Sequence, residues 1–162
     1  EAIDNADVII LASPVYVYHV TGAMKVFLDH YGYRWMVHRP QESMFRKQGV
    51  CISTAAGAGM KPTNKDMADS LFFWGVAKRY QYGVRVAAGN WNGVSEKKKC
   101  AIDKATSGIA KKIVNNSKHV KPGIKTRAMF WAMHFAQRKG FNPCDAEYWK
   151  SKGWTGKKRP WK

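Results

Sequence analysis

The segment Ser13-Pro14-Val15-Tyr16-Val17-Tyr18 follows directly on the aliphatic run Val8-Ile9-Ile10-Leu11-Ala12. Pro14 removes a backbone donor, fixes its own φ and holds Ser13 extended, so the chain turns sharply there. A second small-residue stretch, Thr54-Ala55-Ala56-Gly57-Ala58-Gly59, follows Val50-Cys51-Ile52, and a third, Gly89-Asn90-Trp91-Asn92-Gly93, follows a run ending at Ala88. The stretches 13–21, 55–61 and 89–93 contain no Asp, Glu or Cys, so acid–base hydrolysis by paired carboxylates lacks its groups. Main-chain N–H donors beside tyrosine and tryptophan suit instead a flat aromatic ligand whose face packs on the rings.

Such loops need a frame that brings them to one edge. Residues 7–12 are a short aliphatic run of the kind buried on both sheet faces, 49–54 a second short apolar strand and 82–88 a third strand candidate; the first is expected to be the central strand. Helical spacing places Met24, Phe27, Leu28 and Tyr31 on one stripe from a cap at Thr21 to about Trp35. Met67, Leu71 and Trp74 mark a second helix over 63–76, with Gly75 ending it. Ile102, Ala105, Ile109 and Ile113 mark a third from a cap at Ser95 to about Asn115. Strands alternating with helices imply a parallel sheet, whose ligands sit in the loops at the strands' carboxyl ends.

After Pro122-Gly123, residues 124–139 form a further helix, apolar over much of its circumference through Met129, Phe130, Trp131, Met133 and Phe135. The tail from Tyr148 to Lys162 interleaves aromatics with cations. The expected organisation is one α/β unit over 1–120 and a helical, basic and aromatic extension over 121–162.

The formal charge is +17 in 162 residues, and it is unevenly placed. Residues 1–60 carry five Lys/Arg against five Asp/Glu, residues 61–120 twelve against four, and residues 121–162 eleven against two. The excess is a surface field on the later two-thirds and favours anionic partners. Cys51, Cys100 and Cys144 form no C-x-x-C pair and the histidines no ligand spacing, which argues against a zinc site or disulfide framework. No run is long and apolar enough to span a bilayer, and the first residues lack a signal-peptide layout, so the expected location is cytoplasmic.

The segment Ala6-Asp7-Val8-Ile9-Ile10-Leu11-Ala12-Ser13-Pro14-Val15-Tyr16, with Gly22-Ala23-Met24-Lys25-Val26-Phe27-Leu28-Asp29, resembles the NADPH-dependent FMN reductase group of flavodoxin-like NAD(P)H oxidoreductases. The Thr54–Gly59 loop is similar to the group's second flavin loop, and the Tyr148–Trp161 tail to the ending of some bacterial members. His30 stands where the group commonly has Arg. The resemblance implies a flavodoxin-like three-layer α/β/α fold with a parallel sheet. No segment matches its amino-terminal phosphate-binding turn, so the chain is expected to be the later portion of a longer protein, with the first β-α-β unit either absent or supplied elsewhere.

The same resemblance implies FMN as cofactor and NADPH or NADH as co-substrate. Hydride would pass to a quinone, a nitro or azo compound, another flavin or a protein, and the expected assembly is a homodimer. Ser13, Pro14, Val15, Tyr16 and Tyr18 would line the flavin edge and ribityl chain; Thr54, Ala55, Ala56, Gly57 and Gly59 would supply main-chain contacts to the ring.

Each reading has a plainer alternative. Tyr16 and Tyr18 could cover the sheet end, the Ala55–Gly59 loop could be a tight turn, and His19 a solvent-facing turn residue. Lys25 and Asp29, four apart on a helix, suit a surface ion pair. A non-enzymatic electron carrier or interaction module is the alternative to an enzyme. A nucleic-acid-binding role for the basic aromatic tail ranks behind both. Membrane attachment through 124–139 ranks behind burial of that helix against the sheet or in a dimer contact.

Overall fold

The computed structural model describes residues 2–162. The first aliphatic run forms β1 (Val8–Pro14), preceded by a single helical turn, α1 (Ala2–Asn5). Thr21 caps α2 (Gly22–His30) by accepting a hydrogen bond from the Met24 N–H at 3.2 Å. The helix ends five residues short of the expected Trp35, and a 3₁₀ turn over Gly32–Arg34 follows. A second 3₁₀ turn, Glu42–Arg46, leads into β2 (Gln48–Ala55), then α3 (Met60–Phe73) and β3 (Lys78–Arg85).

The sheet is parallel, in the order β1-β2-β3. Leu11 lies opposite Cys51, and Ser53 opposite Gly83. β2 is therefore the middle strand, and β1, expected there, lies at an edge of the three. β3 begins four residues before the expected Tyr82. The reason is the end of α3: Gly75 at φ +92° lets the Val76 N–H reach Leu71 O at 3.0 Å, and the chain is already extended by Lys78. Lys78 and Arg85 belong to the strand because a sheet edge leaves their charged ends in water.

One face of the sheet is covered by α2 and α3. Ile9, Leu11 and Cys51 pack there with Leu28, Met67, Leu71 and Trp74, and the Trp74 ring meets Phe27 and Tyr31 edge-on. Met67, Leu71 and Trp74 are wholly buried, each side chain contributing about 1.5–3 kcal/mol. α4 (Glu96–Asn116) lies across the other face, where Gln48 Nε2 donates to Ile113 O at 2.9 Å. Ser95 occupies the cap position of α4 without making the side-chain bond. These layers form a flavodoxin-like α/β fold. β1 departs from the expectation of burial on both faces: Ile9 and Leu11 are buried, whereas Ile10 is 62% exposed. α4 reaches β2 and β3, and the outer face of β1 stays open.

The extension consists of α5 (Ile124–Arg138) and α6 (Pro143–Ser151), the latter capped by the Asn142 side chain, which accepts from the Cys144 and Asp145 N–H groups. Phe130, Trp149 and Trp154 build a second core with Met36 and Phe45, all buried. Trp149 Nε1 donates to His38 O at 2.7 Å and Tyr148 OH to Pro40 O at 2.8 Å. α5 thus packs on the segment between α2 and β2, not on the sheet face where burial was expected.

Candidate functional site

The carboxyl ends of all three strands open on one cleft of about 490 Å³ on the α4 side of the sheet. Pro14, Val15 and Tyr16 from the first loop and Thr54, Ala55 and Ala56 from the second line it. Six of the ten residues singled out in the sequence thus share one wall system. Ser13, Tyr18, Gly57 and Gly59 do not line the cleft; three of them shape the loops that do.

Ser13 is buried, its hydroxyl accepting from the Thr21 N–H at 3.1 Å and donating to Pro14 O at 2.9 Å. That closes the base of the first loop. At the tip, Tyr16 and His19 exchange both backbone hydrogen bonds at 3.0 Å, and the two residues between them, Val17 and Tyr18, have φ of +49° and +66°. This is the arrangement of a type I′ turn, which favours Asn-Gly. A β-branched valine at positive φ is strained, and such residues persist where surrounding contacts hold them. Those contacts come from α3: Thr63 Oγ1 faces Tyr18 O at 3.4 Å and the Asp66 carboxylate takes His19 Nδ1 at 2.9 Å. Gly59, at φ +101°, begins α3 so close to the loop that a Cβ would stand 2.6 Å from Val15 Cγ1.

The turn also exposes apolar surface. Tyr16 is 63% and Val17 92% exposed. In the second loop, the main-chain N–H groups of Ala56, Gly57 and Ala58 enter no backbone hydrogen bond among the described residues. The cleft therefore combines exposed rings and an apolar floor, and of these three residues only Ala56 lines it.

Several lining residues escaped the sequence reading. Ile52 and Tyr82 rise from the sheet floor, Trp91 closes the third loop, and Ile102 and Thr106 come from α4. Trp91 carried a signal, since it sits in the third strand-to-helix loop. The α4 residues carried none, because their place depends on how that helix crosses the sheet.

No charged side chain lines the cleft; the nearest charges stand outside its lining. Arg85 Nε donates to Ala56 O at 3.1 Å, and the Lys99 ammonium, paired with the Glu96 carboxylate at 2.8 Å, stands 5.7 Å from the Trp91 ring centroid. Burial raises the Tyr82 phenol above its ordinary range, which keeps it neutral at physiological pH. Lys25 and Asp29 pair in solvent, away from the cleft, as a surface ion pair.

The sequence model of the NADPH-dependent FMN reductases matches residues 1–89, just over half of the chain. That span contains both loops that supply the predicted lining residues. A search of curated proteins gives no match. Among solved structures, that of a thermophilic tryptophan halogenase from Streptomycin violaceusniger is similar at 16% identity and a TM-score of 0.48, over 64% of this chain and 69% of that one. A likeness of that size carries no functional argument.

Proposed function

The chain belongs to the NADPH-dependent FMN reductase family, and from that membership we propose that the 490 Å³ cleft seats the ring system of FMN. The protein would serve as an NAD(P)H oxidoreductase, with a quinone, nitro or azo compound, flavin or protein as acceptor. FMN would accept hydride from the nicotinamide and release reducing equivalents to the acceptor. The observation that supports this best is the convergence of Pro14, Val15, Tyr16, Thr54, Ala55 and Ala56 on one cleft lined by no acid.

The cleft's chemistry suits the group. Its volume falls within the range of ordinary small-molecule sites. Tyr16 and Trp91 offer ring faces, and the Ala56 amide, which enters no backbone hydrogen bond among the described residues, would offer a donor to the ring's polar atoms. Arg85, which donates to Ala56 O beside the cleft, would favour negative charge on a bound ring. The residues of this chain bind, orient and exclude water; no side chain of the cleft is required as an acid. A homodimer is part of the reading and rests on the family resemblance.

The test is direct titration. FMN added to the purified chain should bind with quenching of its fluorescence, and the complex should oxidise NADPH or NADH in the presence of a quinone. Absence of FMN binding by the folded protein would overturn the assignment of the cleft. Binding without NAD(P)H oxidation would favour an electron carrier.

A further inference from the structure

We propose that the outward face of α5 is a docking surface for an anionic lipid membrane. The helix is apolar around much of its circumference, and the structure divides that surface in two. Phe130 and Gln137 are buried inward, and His134 Nδ1 donates to Trp154 O at 2.6 Å, so the inner face is bolted to the second core. Ile124, Ala128, Trp131 and Phe135 recur at i, i+4, i+7 and i+11, which places them on one stripe facing out. Ile124 is 86%, Trp131 41% and Phe135 56% exposed. Arg159, reaching from the tail, holds its guanidinium 4.1 Å from the Trp131 ring centroid.

The flanks of the stripe identify its partner. Arg127 and Arg138 border one side, Lys125 and Lys139 the other, all exposed, and α5 contains no Asp or Glu. An apolar stripe with tryptophan and phenylalanine between two cationic borders is the pattern of a helix lying in the headgroup plane. Aromatic and aliphatic side chains enter the acyl boundary while the cations meet anionic headgroups. The net charge of +17 adds long-range attraction of the same sign.

A second copy fits less well. Pairing two stripes about a two-fold axis would set the arginine and lysine borders of one copy against those of the other. Three large side chains on a single helix also fall short of the roughly 800 Å² per partner that a stable interface buries. The inference is independent of the flavin assignment.

The test uses the whole 162-residue chain and vesicles of phosphatidylcholine alone or in equal parts with phosphatidylglycerol. The protein should sediment with the mixed vesicles and not with the neutral ones, and added salt should release it. Arg138→Glu combined with Lys139→Glu should weaken the binding by about tenfold or more. Ile124→Asp should weaken it too, and at so exposed a position it should leave the melting temperature unchanged. Equal binding to neutral vesicles, or variants that bind like the parent, would overturn the proposal. So would a dimer in solution that Ile124→Asp dissociates while the parent ignores vesicles, because a second copy would then cover the stripe.

Discussion

His19 Nδ1 lies 2.9 Å from Asp66 Oδ2, across a sequence separation of 47 residues, and the same carboxylate oxygen is 3.4 Å from the Val20 N–H. One side chain of α3 thereby holds the far limb of the strained turn that carries Tyr16. Asp66→Ala should weaken FMN binding by about threefold to tenfold, the equivalent of about 1 kcal/mol for a half-exposed charged hydrogen bond. It should also speed amide exchange at Val20. Lys65→Ala, which breaks the solvent pair with Asp69, is expected to leave the affinity unchanged.

Gly59 tests the seam between the two loops. Alanine there would sit at φ +101° with its Cβ 2.6 Å from Val15 Cγ1 and 3.1 Å from Tyr18 Cα. Gly59→Ala should destabilise the fold by about 1–3 kcal/mol and displace the first loop. Gly57 has open space around its Cα and no positive φ, so Gly57→Ala should change stability by less than about 0.5 kcal/mol. Thermal melting of the two variants gives the comparison, and equal losses would contradict the close approach at Gly59.

Burial pushes the Cys51 thiol up to about 12, whereas Cys100 and Cys144 are exposed. Since the thiolate is the reactive form, a thiol reagent on the native protein should label two cysteines quickly. The third should react only as the chain unfolds, at a rate that rises with denaturant. Fast labelling of all three would place Cys51 outside the core.

The amino-terminal turn should respond to acid. A hydrogen bond from the Arg34 guanidinium, aided by its charge and opposed by desolvation, holds the Asp4 carboxyl below the usual carboxylate range. A depressed folded value means that the contribution is complete above the unfolded value near 4 and is lost as pH falls through the folded one. Asp4→Asn should therefore lower the melting temperature at neutral pH, and the difference from the parent should shrink as the pH falls below the unfolded value near 4. A difference that persists in acid would assign the effect to packing.

Much of the site's first wall was legible from local chemistry. Thr21 caps the next helix through a bond to a residue three positions away, whereas the sharp turn expected at Ser13-Pro14 comes later: Pro14 still pairs in β1 and the chain reverses at Val17-Tyr18. The Met67, Leu71 and Trp74 stripe likewise foretold which side of α3 would be buried. Where reading failed, a competing interaction lay outside the window. The charged Lys78 and Arg79 were left out of the third strand because strand position depends on where α3 stops. α6 went unread although Asn142-Pro143 signals a helix start, because the aromatic and cationic tail masks its period.

Periodicity, capping and turn chemistry act over a few residues, so the alternation of strands and helices, the three loops at one sheet edge and the absence of acid from them follow from residue order. Contacts between distant segments do not. The crossing of α4 brings Ile102 and Thr106 to the cleft, Asp66 pins His19, and the second core buries Phe130 while leaving Trp131, its neighbour in sequence, partly in water. A helix that is apolar all round has no local feature to say which face is covered. That choice falls to the partner surface, here the Met36 and Phe45 segment, which takes one side of α5 and leaves the other exposed.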